Sequence, residues 1–382
     1  MTAYRPALRV LSALALGAVI GILIYGLLAA ESEKAVGLVL LAVALTVAAG
    51  LRTGVLPRLA RAAGSGPLLG SVALAGVVLI AVFHDDPFVL LLVARALLVL
   101  VACLGLHVQF ADAGVPNFAG AAFFGVGGYT AAVLGAGEIP HLLVLLASGA
   151  MAAAVGSLLL LPLLRTRGHY AALITIAFGL LFRTFLEVNE GLGGPQGLKL
   201  PGLRILGFAF NDDRQLLGLE VSGFAFYCLA AGVLALGAVW LVRRVERSWL
   251  GVSLDAVRLD ETAAACFGIS LGRWKIAALT LGNAIVGVAG GLSAMMVGFI
   301  APNNFTFQES LVLVSILLLG GLGNLAGLAA AALIVVWVPE KLQPIQEFRY
   351  LLFSVLVVLV LVLRPGGLVR RRARQAFGSA AA

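Results

Sequence analysis

Charge is scarce in this chain. Only 12% of its 382 residues are Asp, Glu, Lys or Arg, and 62% are hydrophobic. Soluble domains carry about 25% charged residues. A polypeptide this apolar cannot cover itself with polar surface, which excludes an ordinary soluble domain and points to lipid as the solvent. Cysteine is scarce too. Cys103, Cys228 and Cys266 are the only three, with no paired spacing, which argues against a disulfide framework and against a zinc site. The four histidines (His84, His107, His141, His169) are equally dispersed and read as isolated interfacial or loop residues. None of the lysines (Lys34, Lys199, Lys275, Lys341) follows a glycine, so no Walker A phosphate loop is present. No nucleophile lies near a base in sequence, and there are no paired catalytic carboxylates, which counts against an integral-membrane enzyme. Nearly all carboxylates fall between apolar runs, which counts against a self-sufficient secondary transporter coupled to an ion.

What is present is a series of apolar runs separated by charged or Pro/Gly-rich breaks. Spans are expected near 10–30, 35–51, 67–83, 88–106, 118–135, 142–164, 170–187, 222–242 and 276–297. Shorter ones follow near 310–322 and 325–338, with a full one near 350–363. A helical crossing needs roughly 20 residues, so the short pieces are expected to be tilted, broken or re-entrant. The fold class is therefore an all-α integral membrane protein, a polytopic helical bundle of about 10–12 transmembrane segments. Its expected organisation is an N-terminal transmembrane extension (1–87, about three spans), a main domain (88–370) and a basic tail (371–382). The first run, after Arg5 and Arg9, is longer than a signal-peptide core and reads as an uncleaved span.

The net charge of +8 is not a nucleic-acid footprint, because the basic residues flank apolar spans. With the N-terminus inside, the inner segments hold Arg52, Arg58, Arg61, Arg165, Arg167, Arg243, Arg244, Arg247, Arg258, Arg273, Lys275 and the arginines from Arg364 onward. That is most of the 26 basic residues, and it places both termini in the cytoplasm of a multi-pass chain. Arg95 and Arg183 lie inside spans, near their outer ends, where they can snorkel. Glu187 follows Arg183 by one helical turn and can pair with it.

Glycine is abundant where it weakens helices most. In "GAAFFGVGGYTAAVLG", Ala121, Gly125, Gly128, Ala132 and Gly135 form one narrow helical stripe. The spacing recurs at Gly287, Gly291, Ala294 and Gly298, and a third run holds Gly320, Gly323 and Gly327. In lipid such stripes let helices approach closely. The segments either only pack or also line a pathway. A dinucleotide-binding reading fails, since no strand precedes the glycines and the third is missing.

The inner segment 243–275 is the longest cytoplasmic break. Within it Ser253 is expected to cap a short amphipathic helix and Gly268 to end it. Such a helix offers small residues and carboxylates to a partner, or rests on the membrane surface.

These stretches resemble a known family. "DETAAACFGI" is similar to the coupling loop of ABC-importer permeases, and more specifically the chain resembles branched-chain amino-acid permeases of the LivM type. "AAFFGVGGYTAAVL", "YAALITIAFGLLFRTF" with "GGPQGL", "GFIAPNNFTFQESLVLVSILLLGGLGNLAG" and "RPGGL" occur in the family's order over roughly residues 90 to 370. Two positions depart from the usual pattern: Ala119–Gly120 stands where Gly-His is common, and Leu180 where a Glu is common. The resemblance implies an ATP-driven, binding-protein-dependent importer of branched-chain amino acids in the bacterial cytoplasmic (inner) membrane. A relative for urea or short amides is the alternative. It implies a second permease subunit, two cytoplasmic ATPase subunits that use ATP and Mg, and an extracytoplasmic solute-binding protein meeting the loop around Gly193–Leu198. No cofactor is expected on this chain. By the same resemblance, Phe123, Phe124, Gly125, Gly127, Gly128 and Tyr129 belong to a span near the transport pathway; Arg183, read from its charge inside a span, either pairs and snorkels or takes a direct part in the pathway. Asp260, Glu261, Ala264 and Gly268 belong to the ATPase-docking segment.

Overall fold

The computed structural model describes residues 4–29, 65–137, 139–163 and 170–341, apart from 206–207, 213 and 217–218, with single positions at Leu38, Ala42, Leu351, Val355 and Val358. The spans expected near 35–51 and 350–363, and the tail 371–382, lie outside these described residues.

Among the described residues, two helices precede the main bundle, α1 (Tyr4–Ala29) and α2 (Ser65–Val82). Gly17 of α1 lies against Ser71 of α2, so the pair packs on a small-residue contact. Leu28 of α1 then joins Val89, Leu92, Ala96 and Trp337 in a small apolar cluster that ties the pair to the rest.

The bundle begins at α3 (Pro87–His107). Asp86 caps it: its carboxylate accepts from the backbone N–H of Phe88 and Val89 at 3.0 and 3.1 Å, with Pro87 in the first turn. The helix does not stop at His107 but widens into a π-turn, Val108–Asp112, in which Ala113 N–H reaches back to Val108 C=O. An extended stretch leads to α4 (Gly120–Gly135), followed by α5 (His141–Leu163) and α6 (Tyr170–Val188). Short 3-10 turns, a single strand and two hairpins come next: β1 (Leu198–Lys199), the β2–β3 hairpin (Arg204–Ile205, Phe208–Ala209) and the β4–β5 hairpin (Arg214–Leu216, Leu219–Val221). Then come α7 (Gly223–Glu246), the short α8 (Trp249–Leu259) and α9 (Glu261–Cys266), and the long α10 (Leu271–Val297). β6 (Phe299–Ile300) pairs antiparallel with β1, Leu198 opposite Ile300. Helices α11 (Phe307–Gly320) and α12 (Leu325–Lys341) complete the described chain.

Five helices among the described residues are long and apolar enough to cross a membrane: α3 with its π-turn, α5, α6, α7 and α10. Of these, α3 and α10 are the most buried within the protein and α6 the least. The core therefore sits around α3 and α10, with α4, α5 and α7 packed against them. Helix α4 has 16 residues and α11 has 14, about 24 and 21 Å at 1.5 Å per residue, short of a 30 Å hydrocarbon layer. The short α11 is expected from its short apolar run; α4 is expected as a full span near 118–135 and is shorter, because its helix begins only at Gly120 after an extended stretch. The start of α4 is buried, so its first backbone donors need partners. Side chains supply them. Phe118 N–H donates to Thr175 Oγ1, Ala119 N–H to Asn117 Oδ1 and Ala121 N–H to Ser310 Oγ, all within 3.1 Å.

Glycine makes the tightest contacts, but not along the expected stripe. A Cβ on Gly127 would overlap the carbonyl of Gly287, and one on Gly290 would overlap the carbonyl of Phe124. The backbones of α4 and α10 thus touch through Gly127 and Gly290, one face round from the Ala121–Gly125–Gly128 stripe. Gly125 and Gly128 instead receive side chains: the rings of Phe182 and Phe305, and Ile300. In α10, Gly287 and Gly291 lie against Ala152 and Ser148 of α5. The spacing correctly predicted close approach; which faces meet is set by three neighbours competing for one helix.

Candidate functional site

The end of the bundle carrying the β-strands is pinned by polar side chains. Tyr227 Oη accepts from Leu203 N–H at 2.7 Å and donates to Asn211 Oδ1 at 2.6 Å. His141 Nδ1 accepts from Arg204 N–H at 2.7 Å. At this end Arg183 Nε donates to Glu187 Oε1 at 2.8 Å and Nη2 donates to Asn303 Oδ1 at 3.2 Å. The i,i+4 pair read from the sequence is present, and Asn303 adds a partner that no local spacing suggests. Arg95 is likewise held, by Glu340 of α12 at 2.8 Å.

A line of aromatic rings runs from this pair into the bundle. Phe182 stacks with Phe178 (centroids 6.1 Å apart), and Phe178 stacks with Phe123 (5.2 Å). Phe305 packs beside Gly125 and meets Tyr129 edge to face at 6.0 Å. On α4, Phe123 meets Phe178 and Gly125 meets Phe182, both of α6, while Tyr129 meets Phe305; Arg183 follows Phe182 on α6 and contacts Glu187 and Asn303. Gly127 and the Phe124 backbone turn the other way, into α10, and Gly128 faces Ile300. Tyr129 Oη is buried and makes no hydrogen bond.

Between α3, α4 and α10 lies a buried amide cluster that sequence reading missed. Gln109 Nε2 donates to Asn283 Oδ1 at 2.8 Å, and Asn117 Nδ2 donates to Gln109 Oε1 at 2.7 Å. All three residues are fully buried. Their partners are up to 174 positions away, and no local spacing marks them. A polar residue inside an apolar run is the only signal, and Asn283 in "LTLGNAIVG" is one.

At the opposite end, α8 and α9 form a corner between α7 and α10. The expected cap is not used. Ser253 lies inside α8, 2% exposed, and the helix starts after Ser248. Asp260 breaks the segment into two helices: its backbone is extended and its carboxylate accepts from Thr262 and Ala263 N–H at 2.8 and 3.0 Å. A carboxylate that satisfies two free donors competes successfully with continuing the helix. Gly268 ends α9 as expected, with φ +78°, and Ile269 N–H bonds back to Ala264 C=O. Glu261 is paired with Lys275 at 2.7 Å, while Ala264 faces inward and is 3% exposed. Phe267 projects outward, 86% exposed. Of the three cysteines, Cys103 and Cys228 are buried and Cys266, beside Phe267, is exposed.

Just behind this corner the structure brings together His107, Asp112 and Glu246, which are dispersed in the sequence. His107 and Asp112 are fully buried, and His107 Nε2 lies 3.3 Å from Glu246 Oε1. Gly114, after the π-turn, packs on Arg258 of α8.

The family described as branched-chain amino acid transport system / permease component matches residues 88–363. The chain is 34% identical over 284 residues to the high-affinity branched-chain amino acid transport system permease protein LivM of Escherichia coli, covering 70% of this chain and 66% of that one. The Salmonella typhimurium protein of the same name gives the same identity and coverage. A probable branched-chain amino acid transport permease protein LivM of Methanocaldococcus jannaschii is 24% identical over 319 residues, covering 70% of this chain and 89% of that one. No solved structure matches. The chain thus spans just under two thirds of its two bacterial relatives, and the family match starts at α3, where the main bundle starts. A family match over that whole bundle, on a helical membrane architecture with short broken segments, assigns the chain: it belongs to the branched-chain amino acid transport permease family.

Proposed function

We propose that this chain is a membrane-spanning permease subunit of an ATP-driven importer, passing branched-chain amino acids across the bacterial cytoplasmic membrane. The observation that carries the reading is the α8–α9 corner. It is a compact two-helix projection, fixed to α10 by the Glu261–Lys275 pair and joined to α7 by a short connection, with Phe267 held out from it. A partner that grips this corner pushes directly on α10, at the centre of the core, and on α7, which packs against the core. The partners in this reading are two cytoplasmic ATPase subunits, which bind Mg and ATP. A second permease subunit and an extracytoplasmic solute-binding protein complete the assembly.

The corner lies on the cytoplasmic side in this reading, and the basic last turn of α7 (Arg243, Arg244) supports that placement. Both termini are then cytoplasmic. The β-strand end faces outward and offers the binding protein a platform braced by the β1–β6 pairing and Tyr227. The aromatic row from half-buried Phe182 inward to fully buried Phe123 is an apolar lining that, opened by helix motion, would suit branched aliphatic side chains, and Arg183 with Glu187 stands at its outer end to meet a zwitterion. Motion is rigid-body rocking of helices whose glycine contacts keep them in register.

The test is reconstitution. The chain, co-expressed with candidate partner permease and ATPase subunits, is purified and placed in vesicles with a candidate binding protein outside and ATP inside. ATP-dependent uptake of labelled leucine is expected. Uptake driven by an ion gradient without ATP overturns the subunit reading, and ATP-dependent uptake of urea or a short amide in place of leucine overturns the substrate.

A further inference from the structure

We propose that His107, Asp112 and Glu246 form a binding site for a divalent transition-metal ion of the zinc type, at the junction of α3, α7 and the α8–α9 corner. The donor set is one imidazole and two carboxylates, the borderline chemistry such ions prefer. Their ligand atoms all lie within 4.8 Å of one another. Tetrahedral coordination with bonds of about 2.0–2.1 Å places ligand atoms about 3.3–3.4 Å apart. His107 Nε2 and Glu246 Oε1 are already 3.3 Å apart. The remaining separations exceed the ideal edge by at most about 1.5 Å, within reach of a side-chain rotation.

The backbone explains how the ligands come to face one another. In a regular α-helix, residues five apart diverge by about 140° (five steps of 100° less one turn). His107 and Asp112 are five apart. The π-turn closes its hydrogen bond five residues back, from Ala113 N–H to Val108 C=O, and so brings positions five apart toward one face. The widening creates this juxtaposition. Burial points the same way. His107 is fully buried, and its Nδ1 makes no hydrogen bond, so only the Nε2 contact orients the ring. Glu246 is the wet edge of the cluster, with 19% of its side chain exposed, and gives an ion a route in. Three protein ligands leave one position for water, as in an exchangeable rather than a purely structural site. A bound ion would fasten the inner ends of α3 and α7 beside the segment that α8 and α9 connect.

The competing arrangement uses guanidinium instead of metal. Arg258 stands next to Gly114, with its buried Nε 3.4 Å from Asp255, and Arg243 and Arg247 lie at the end of α7. Arg243 already interacts electrostatically with Glu246, so an ion enters only by competing with guanidinium for the carboxylates. The experiment uses the full chain, purified in detergent without a histidine tag and stripped with chelator, and cobalt(II) as the probe. One equivalent is expected to bind with a tetrahedral visible spectrum, to be displaced by zinc, and to raise the thermal unfolding midpoint. His107→Ala and Glu246→Gln should each weaken binding at least about 10-fold, the lower end of what losing even an outer partner costs. His107→Cys should keep the ion and add a thiolate-to-cobalt charge-transfer band, which a purely structural role for His107 cannot produce. Absence of stoichiometric cobalt binding to the wild-type chain overturns the proposal. So does binding that none of the three variants alters. Neither result bears on whether the chain transports amino acids.

Discussion

The α4–α10 contact and the α8–α9 corner both depend on glycine, for opposite reasons. At the contact, Gly127 and Gly290 are required because a Cβ would run into a neighbouring carbonyl. At the corner, nothing lies within 4 Å of where a Cβ on Gly268 would be; glycine is needed there for φ +78°. One region uses the missing atom to bring two backbones together. The other uses the freedom it confers to turn the chain and leave Phe267 outside. Damage to the first should therefore be felt as lost folding, and damage to the second as lost communication with a partner.

The largest effect expected is at the buried contact. Gly127→Val should remove most correctly folded protein, seen as collapse of the monodisperse peak in detergent and a large drop in unfolding temperature. Overpacking generally costs about 1–3 kcal/mol, and here the obstacle is backbone, which cannot swing aside. Next comes Phe267→Ala. The unfolding temperature should stay at the wild-type value while ATP-driven uptake falls. An exposed aromatic anchor is worth about 2 kcal/mol or more, which corresponds to about 30-fold weaker ATPase association in a pull-down titration. Equal sensitivity of folding at both positions would erase the distinction between the two regions.

Gly268→Ala should come third. A left-handed residue with a side chain costs about 1–2 kcal/mol, confined to the end of α9. Uptake should drop with only a small change in unfolding temperature. The smallest expected effect on stability is that of Arg183→Gln, since a half-exposed i,i+4 pair contributes about 0.3–0.5 kcal/mol. If Arg183 meets the substrate, the KM for leucine rises while protein yield is unchanged. An unchanged KM and kcat would remove Arg183 from the pathway.

Much of the helical layout was legible because apolar runs bounded by charge have few alternatives in lipid. The ends of α3, α6, α7 and α10 fall near the charged or glycine-rich breaks that bound their runs. The corner was legible only in part. Gly268 announces a stop, but Asp260 reads as one more polar residue until its carboxylate is seen holding two N–H groups. The pairing of the buried polar groups was not legible, although Asn283 stands out as a polar residue in an apolar run. Gln109 and Asn283, or His107 and Glu246, are joined across 174 and 139 positions, and their meeting depends on how α3, α7 and α10 are packed. The π-turn is similarly silent, since "HVQFAD" carries nothing that distinguishes it from an ordinary helical turn.

The exposed thiol of Cys266 has a practical use. Cys103 and Cys228 are sealed in the interior, so a maleimide dye added to the folded, unmutated protein has a single address, one residue from Phe267. Fluorescence reported from that spot would register a docking event as it happens, without the cysteine-free background that such experiments usually demand.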